Sequence, residues 1–155
     1  MVARFSVINR PRRARDQRGA VAVEFALIMP ILLILVFGII EFGFMINRDM
    51  IVGNASRDGA RAASLGDTQA DIKAGIVAEL AASGIPTTVA TGTTISVTCK
   101  KPDGTACSTD YDTDAVSGST AIIAVSYDHT LITPFISSIL GDVVNLGQTT
   151  QMRVE

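Results

Sequence analysis

One long apolar segment constrains this chain more than any other feature. Residues 20–46 contain two charged side chains, Glu24 and Glu41, and residues 25–40 contain none. As a helix the segment is about 40 Å long, whereas the hydrocarbon core of a bilayer is roughly 30 Å thick. A single span in lipid must satisfy its own backbone hydrogen bonds, which a helix does. We therefore predict a transmembrane helix over residues 20–46, in a chain that is 48% hydrophobic and 18% charged.

Charge is distributed unevenly on the two sides of this segment. Residues 1–19 carry six arginines and one acid, whereas residues 47–155 carry seven Lys or Arg and twelve Asp or Glu. Basic residues beside a span stay in the cytoplasm, so we expect residues 47–155 to lie outside the cytoplasmic membrane. The basic tail has no interleaved aromatic residues to stack nucleobases, so nucleic acid is not an expected partner. A secretory signal peptide fits poorly, because the apolar segment is too long and no small-residue cleavage site follows it.

The segment contains residues that affect helix shape and packing. Pro30 removes a backbone donor, which predicts a kink or weak point near Ala26. Gly38 and Gly43 offer flat patches for close helix contact, although glycine is also common in membrane helices. Glu24 and Glu41 lie near the two ends, where a charge costs less than at the bilayer centre, so an interfacial position is one interpretation of each.

The start of the segment also has the pattern of a processing site. Gly19 ends the basic leader, and counting from Ala20 places Glu24 fifth and Phe25 sixth. This arrangement resembles the G-x-x-x-x-E-[YF] cleavage pattern of the tight-adherence (Tad/Flp) pilus system. Together with Pro30, Glu41 and the run A-S-R-D-G-A-R-A-A at residues 55–63, it resembles the TadE-like minor pilin family. Residues 120–155 resemble the family loosely, and residues 64–119 carry no family signature.

The resemblance implies a pilin-like α+β protein whose leader, residues 1–19, is removed by a prepilin peptidase after Gly19. The mature subunit is then expected in the inner membrane or in an extracellular pilus, where it contributes to assembly initiation, the tip or surface adhesion. Expected partners are other pilins, the inner-membrane assembly platform and membrane lipid. Candidate assembly and packing residues are Glu24, Pro30, Gly38, Glu41, Gly43, Arg57, Gly59 and Arg61.

The alternative is an uncleaved, single-span protein whose extracytoplasmic domain binds a ligand. In that protein Glu24 is a tolerated interfacial acid and the N-terminus stays near Met1. The sequence leaves both readings open.

Helical character is predicted to continue over residues 47–66. Apolar and small residues recur there at helical spacing, which suits close packing against another helix or against the rest of the domain. The residues on this face are Met50, Ile51, Ala55, Gly59, Ala62 and Ala63. Arg57 and Arg61 lie beside this face, either as a solvated helix edge or as a surface that recognises a partner.

Residues 67–155 are predicted to form an extracytoplasmic α+β domain. Asp67 or Thr68 can cap a second helix, which residues 84–86 end. Strands are predicted over residues 94–98 and 121–130, with a break at Pro134. Residues 143–146 and 149–154 then supply a final strand or a hairpin. We expect a small antiparallel sheet packed on the second half of the long helix.

Two cysteines flank a turn in this domain. Cys99 and Cys107 lie on either side of the turn at residues 102–104, on the side of the membrane where disulfides persist. We predict a disulfide, with free thiols or a metal pair as alternatives. A zinc site is disfavoured because two cysteines without a nearby histidine do not complete one.

Other candidate ligand residues match known sites incompletely. Asp110, Asp112 and Asp114 alternate like the first half of a calcium loop, but the glycine and glutamate that complete such a loop are missing. We expect a solvated acidic loop, with a weak calcium site as the alternative. His129, the single histidine, follows no recognisable nucleophile pattern and is expected at the surface or half-buried in a strand. Without a phosphate-binding loop, nucleophile elbow or zinc signature, we predict no enzyme activity, metal or cofactor.

Overall fold

The structure, a computed structural model, describes residues 15–108 and 110–155, and it describes their side chains except at positions 15–18, 135, 139 and 140. Residues 1–14 of the predicted leader therefore lie outside the described part. In chain order, with one 3₁₀ turn at Val89–Thr91, the elements are α1 (Arg15–Ser64), α2 (Gln69–Ala82), β1 (Thr93–Lys100), α3 (Tyr111–Asp114), β2 (Thr120–Thr130), α4 (Pro134–Leu140) and β3 (Val143–Arg153). The predicted α+β class is confirmed.

The chain divides into two compact units, residues 1–37 and residues 38–155. In the first unit the side chains described from Gly19 onward are all exposed along α1. Within the described part of the chain, α1 is the one helix long and apolar enough to cross a membrane by length and composition. The helix continues through Pro30, so the kink expected there remains a prediction.

In the second unit the last part of α1 forms one wall of the core. Its buried positions form a narrow stripe of mostly small residues, namely Val52, Gly53, Ala55, Ser56, Gly59, Ala60 and Ala63. A Cβ added to Gly59 would lie 2.6 Å from Cδ1 of Ile76, so this glycine sets how closely α2 approaches. Met50 was predicted on this face but is 62% exposed, because the stripe begins at Val52.

Helix α2 follows the sequence prediction closely. Thr68 is its N-cap, and its hydroxyl accepts a hydrogen bond from the backbone N–H of Asp71. Three apolar residues at intervals of four, Ile72, Ile76 and Leu80, are buried against the rest of the domain. A capped, amphipathic local pattern is therefore sufficient to define this helix.

The sheet is antiparallel, and β2 lies between β1 and β3. The inward face of β2, at Ala121, Ile123 and Val125, is almost completely buried. A final strand or a hairpin was predicted for the last segment. Strand β3 runs without interruption, so the single strand is observed. Helix α4 was not predicted: Pro134, read as a break, occupies the first turn of this helix, where proline is favoured.

Candidate functional site

Glu41 is buried inside the second unit although it comes directly after the charge-free run. Only 3% of the residue is exposed. Its carboxylate accepts hydrogen bonds from the backbone N–H of Ile132 at 3.0 Å and of Thr133 at 3.0 Å. The Thr133 hydroxyl donates a further bond at 2.8 Å. Burying a carboxylate is costly unless donors surround it, and these three donors meet that need.

The strand that leads into this contact explains how distant residues reach Glu41. After β2 ends, the backbone N–H of Leu131 donates to the carbonyl of Asp142 at 3.0 Å, which closes the chain between β2 and β3. Thr133 then has extended backbone angles as the N-cap of α4, but its hydroxyl donates to Glu41 instead of capping that helix. We call Glu41, His129, Ile132 and Thr133 the Glu41 clasp.

His129 is the fourth member of the clasp. It is 5% exposed, so the prediction of a surface or half-buried histidine was wrong. Its Nε2 lies 3.6 Å from the Glu41 carboxylate and has no hydrogen-bond partner among the described residues. Its ring also lies 6.1 Å from that of Tyr127. The His129 ring therefore lies beside a carboxylate that already accepts three hydrogen bonds.

The residues of the predicted processing site have a different environment. Gly19, Ala20, Glu24 and Phe25 are all exposed on α1. No atom lies within 4 Å of a Cβ built on Gly19. In the part of the chain that the structure describes, no hydrogen bond or ion pair engages Glu24. The two glutamates of the apolar segment therefore differ: Glu41 is satisfied within the chain and Glu24 is not.

The glycines singled out in the sequence also fall into two groups. A Cβ on Gly38 or Gly43 would meet no atom within 4 Å, so both positions are open to a partner helix. The space beside Gly59, in contrast, is filled by the Ile76 side chain inside the domain. Arg57 and Arg61 are exposed. The Arg57 guanidinium donates a hydrogen bond to the side-chain oxygen of Asn54, on the same helix, at 2.9 Å. The role of these arginines in partner recognition stays a prediction.

Residues 19–61 match the family model described as TadE-like protein. The resemblance predicted from the sequence is confirmed over this TadE-like segment, which contains both glutamates and ends near the small-residue stripe. Searches of the curated proteins and of the solved structures found no match. The clasp therefore joins a position of the TadE-like segment, Glu41, to donors that lie far outside it.

The disulfide predicted outside the TadE-like segment is present. Cys99 and Cys107 are bonded with their Cα atoms 5.2 Å apart, and the backbone N–H of Cys107 donates to the carbonyl of Cys99. The turn between them is closed by the N–H of Gly104, which donates to the carbonyl of Lys101. This loop is held at the end of β1 by both a covalent bond and backbone hydrogen bonds.

Two of the three aspartates considered for calcium bind other groups of the chain through their carboxylates. The Asp112 carboxylate accepts a hydrogen bond from the backbone N–H of Gln69 at 2.6 Å. Asp114 accepts the backbone N–H of Ser108 at 2.6 Å and pairs with Nζ of Lys101 at 2.9 Å. Hydrogen bonding from Ser108, aided by Lys101, lowers the pKa of Asp114 to about 2. Within residues 15–108 and 110–155, no three Asp, Glu, His or Cys side chains form a group that could hold a metal ion.

Proposed function

We propose that this chain is a membrane-anchored, pilin-like subunit of a tight-adherence pilus, processed after Gly19. One observation carries the proposal: Gly19, Glu24 and Phe25 lie at the start of the exposed, apolar part of α1, inside a segment that matches the TadE-like family. The basic residues before Gly19 favour a cytoplasmic N-terminus, so residues 47–155 lie outside the cytoplasmic membrane. The TadE-like pilin family is structural, and we assign no catalysis to this chain.

The assembly chemistry follows from the environment of Glu24. Cleavage would create a new amine at Ala20. When subunits stack in a filament, the Ala20 amine of one subunit would lie close to Glu24 of its neighbour. At 4 Å and an effective dielectric constant of 20, the attraction is about 4 kcal/mol before desolvation is subtracted. A subunit in the wrong register would leave both charges unpaired, so the pair would specify the axial position of each subunit.

The difference between the two glutamates supports this assignment. Glu41 already has three donors inside its own domain, so it has little capacity left for a neighbouring subunit. Glu24 has the same charge without an intrachain partner in the described residues. The open patches at Gly38 and Gly43 would allow another helix to approach α1 closely.

The proposed partners are a prepilin peptidase, other pilins, the inner-membrane assembly platform and lipid. The proposed role is in initiating assembly, at the tip, or in surface adhesion. An uncleaved, single-span binding protein is the competing function, and it differs from our proposal in its N-terminus and in its absence from filaments.

Incorporation into filaments tests the proposal. The host strain would express the wild type, Glu24→Gln or Gly19→Leu, and sheared filaments and membranes would be probed separately for the subunit. We expect the wild type in both fractions, Glu24→Gln in membranes with filament incorporation reduced at least about tenfold, as an interaction of roughly 1.4 kcal/mol or more would give. Gly19→Leu should remain uncleaved in the membrane. Full incorporation of both variants would overturn the proposal.

A further inference from the structure

We propose that residues 130–143, the segment around α4, form a second membrane contact that rests in the headgroup region at the level of Glu41. We call this segment the collar. The inference rests on the proposed membrane anchoring, but it assigns a lipid-contacting surface to a part of the chain that lies far from the apolar segment in sequence. Three observations support it: the height of the collar along α1, its lack of charge, and its exposed apolar side chains.

The clasp fixes the height of the collar. The bonds from Ile132 and Thr133 to Glu41 hold the collar at the residue that directly follows the charge-free run. Its two ends are also tied together, because Thr130 pairs with Val143 at the ends of β2 and β3. The whole collar is therefore held near position 41 of α1. In the predicted span over residues 20–46, Glu41 lies near the outer end, where an acid is expected at the membrane surface.

The composition of the collar suits that position. Residues 130–141 contain no charged side chain, and Asp142 is the one charge within the collar. Ile132 is 65% exposed and Val143 is 50% exposed, and on α1 the neighbouring Phe42 is 58% exposed. Thr130, Thr133, Ser137 and Ser138 add hydroxyl groups to the same segment. Such a mixture is stable at the boundary between headgroups and acyl chains, where side chains insert by roughly 5–10 Å.

The opposite end of the domain has a different character. There the backbone N–H of Glu155 donates to the carbonyl of Ser64 at 3.1 Å, which places the end of the chain about 35 Å along α1 from Glu41. The loops at that end contain Lys101, Asp103 and Asp114. An apolar, nearly uncharged surface is thus found next to the proposed membrane and a charged surface far from it. Because the collar has no Lys or Arg, we infer insertion through apolar side chains and not recognition of anionic headgroups.

Tryptophan fluorescence tests the inference, since the chain has no tryptophan. Val143→Trp and Ile132→Trp report on the collar. Val116→Trp is the matched control for Val143→Trp, because both valines are about equally exposed, at 53% and 50%. Val116 lies in the turn before β2, at the end of the domain opposite the collar. Leu32→Trp reports on the span itself. Each full-length variant would be reconstituted in phosphatidylcholine vesicles, with and without phosphatidylglycerol, using lipids brominated near the headgroup end or near the tip of the acyl chains.

We expect brominated lipid to remove at least about half of the emission from Val143→Trp and Ile132→Trp, most strongly with bromine near the headgroup, as insertion by roughly 5–10 Å requires. Phosphatidylglycerol should not change this result. Leu32→Trp should be quenched most by bromine near the chain tips, and Val116→Trp should not be quenched. Two collar variants are used so that one still reports if the other fails to fold.

The alternative outcomes separate this inference from the proposed function. Chains that do not float with vesicles would overturn both the anchoring and the collar. Chains that float with Leu32→Trp quenched, but with both collar variants as unquenched as Val116→Trp, would overturn the collar alone. Collar emission that is blue-shifted but unquenched would also overturn it, since protein and not lipid would then cover the surface.

Discussion

At the scale of single residues, the surroundings of Glu24 and Glu41 give two identical side chains different roles. Both are carboxylates near an end of one apolar helical segment. Glu41 receives three hydrogen bonds from residues about ninety positions later in the chain, whereas Glu24 is exposed. Glu41 therefore contributes to the fold of its own domain, and Glu24 is available for the contact between subunits that we propose.

Exchanging each glutamate for glutamine should separate these roles. In Glu41→Gln the amide oxygen can still accept from Thr133, but the NH2 group then replaces the oxygen that faces the Ile132 N–H and the charge of the acceptor is lost, so we expect the domain to lose about 2–3 kcal/mol of stability. Glu24→Gln should leave domain stability unchanged. Thermal unfolding and limited proteolysis of the detergent-solubilised full chain measure both effects. Equal stability of the two variants would show that the clasp contributes little.

Gly59 makes a second residue-scale prediction. In Gly59→Ala the new Cβ would lie 2.6 Å from Cδ1 and 2.9 Å from Cγ1 of Ile76, which has to move within a packed core. We expect a loss of about 1–3 kcal/mol in the free energy of unfolding. Gly75→Ala in α2 is the control, because no atom lies within 4 Å of its new Cβ, and it should stabilise the helix by about 0.5–1 kcal/mol. Denaturant unfolding in detergent that shows the same sign for both would contradict this packing account.

At the scale of elements, the loop between β1 and α3 is held by the Cys99–Cys107 disulfide. Reduction should lower the stability of the domain by about 2–3 kcal/mol for so short a loop, because the unfolded chain regains freedom. Comparing thermal unfolding with and without a reductant, and with Cys99→Ser/Cys107→Ser, measures this effect. An unchanged unfolding midpoint in both cases would mean that backbone hydrogen bonds alone hold the loop.

Asp114 links the stability of the same loop to pH. Its pKa is lowered from 3.8 to about 2 in the folded chain, so the folded state binds its proton more weakly than the unfolded state does. The stabilisation is therefore present above about pH 4 and is lost as the pH falls toward about 2. We expect Asp114→Asn to unfold at a lower temperature than the wild type near pH 6, with the difference shrinking below about pH 4 and disappearing below about pH 2. A difference that is independent of pH would contradict this role.

The elements that the sequence predicted well depend on local patterns. Thr68 and the spacing of Ile72, Ile76 and Leu80 define α2 within one short stretch, and alternation defines β1 and β2. Helix α4 was missed because a proline is found both where one element ends and where a helix begins. The local sequence around Pro134 does not distinguish these two cases.

The parts of the site that were missed depend on long-range contacts. Nothing near Glu41 in sequence shows that Ile132 and Thr133 will donate to it, and burial of His129 follows from the same contact. The Thr133-Pro134 pair was a usable signal, since a threonine before a proline often marks the start of a helix. The processing residues Gly19, Glu24 and Phe25 stay a prediction, and they could be proposed from sequence because their spacing along one segment carries the whole pattern.

At the scale of the whole molecule, the chain combines an exposed apolar helix with a domain built on the continuation of that helix. The small-residue stripe of α1 is covered by the domain, while the side chains of residues 19–37 remain exposed. This distribution fits a membrane-anchored protein whose first helical part contacts lipid or other helices. We propose that the chain enters the membrane with a leader and leaves the peptidase with Ala20 as its first residue.

The N-terminal residue of the protein extracted from membranes of its native host tests that claim most directly. N-terminal sequencing, supported by intact mass under non-reducing conditions, gives the result. We predict a chain that begins at Ala20, with the mass of residues 20–155 and one disulfide. A chain that begins at or near Met1 would contradict processing after Gly19 and would favour an uncleaved, membrane-anchored binding protein.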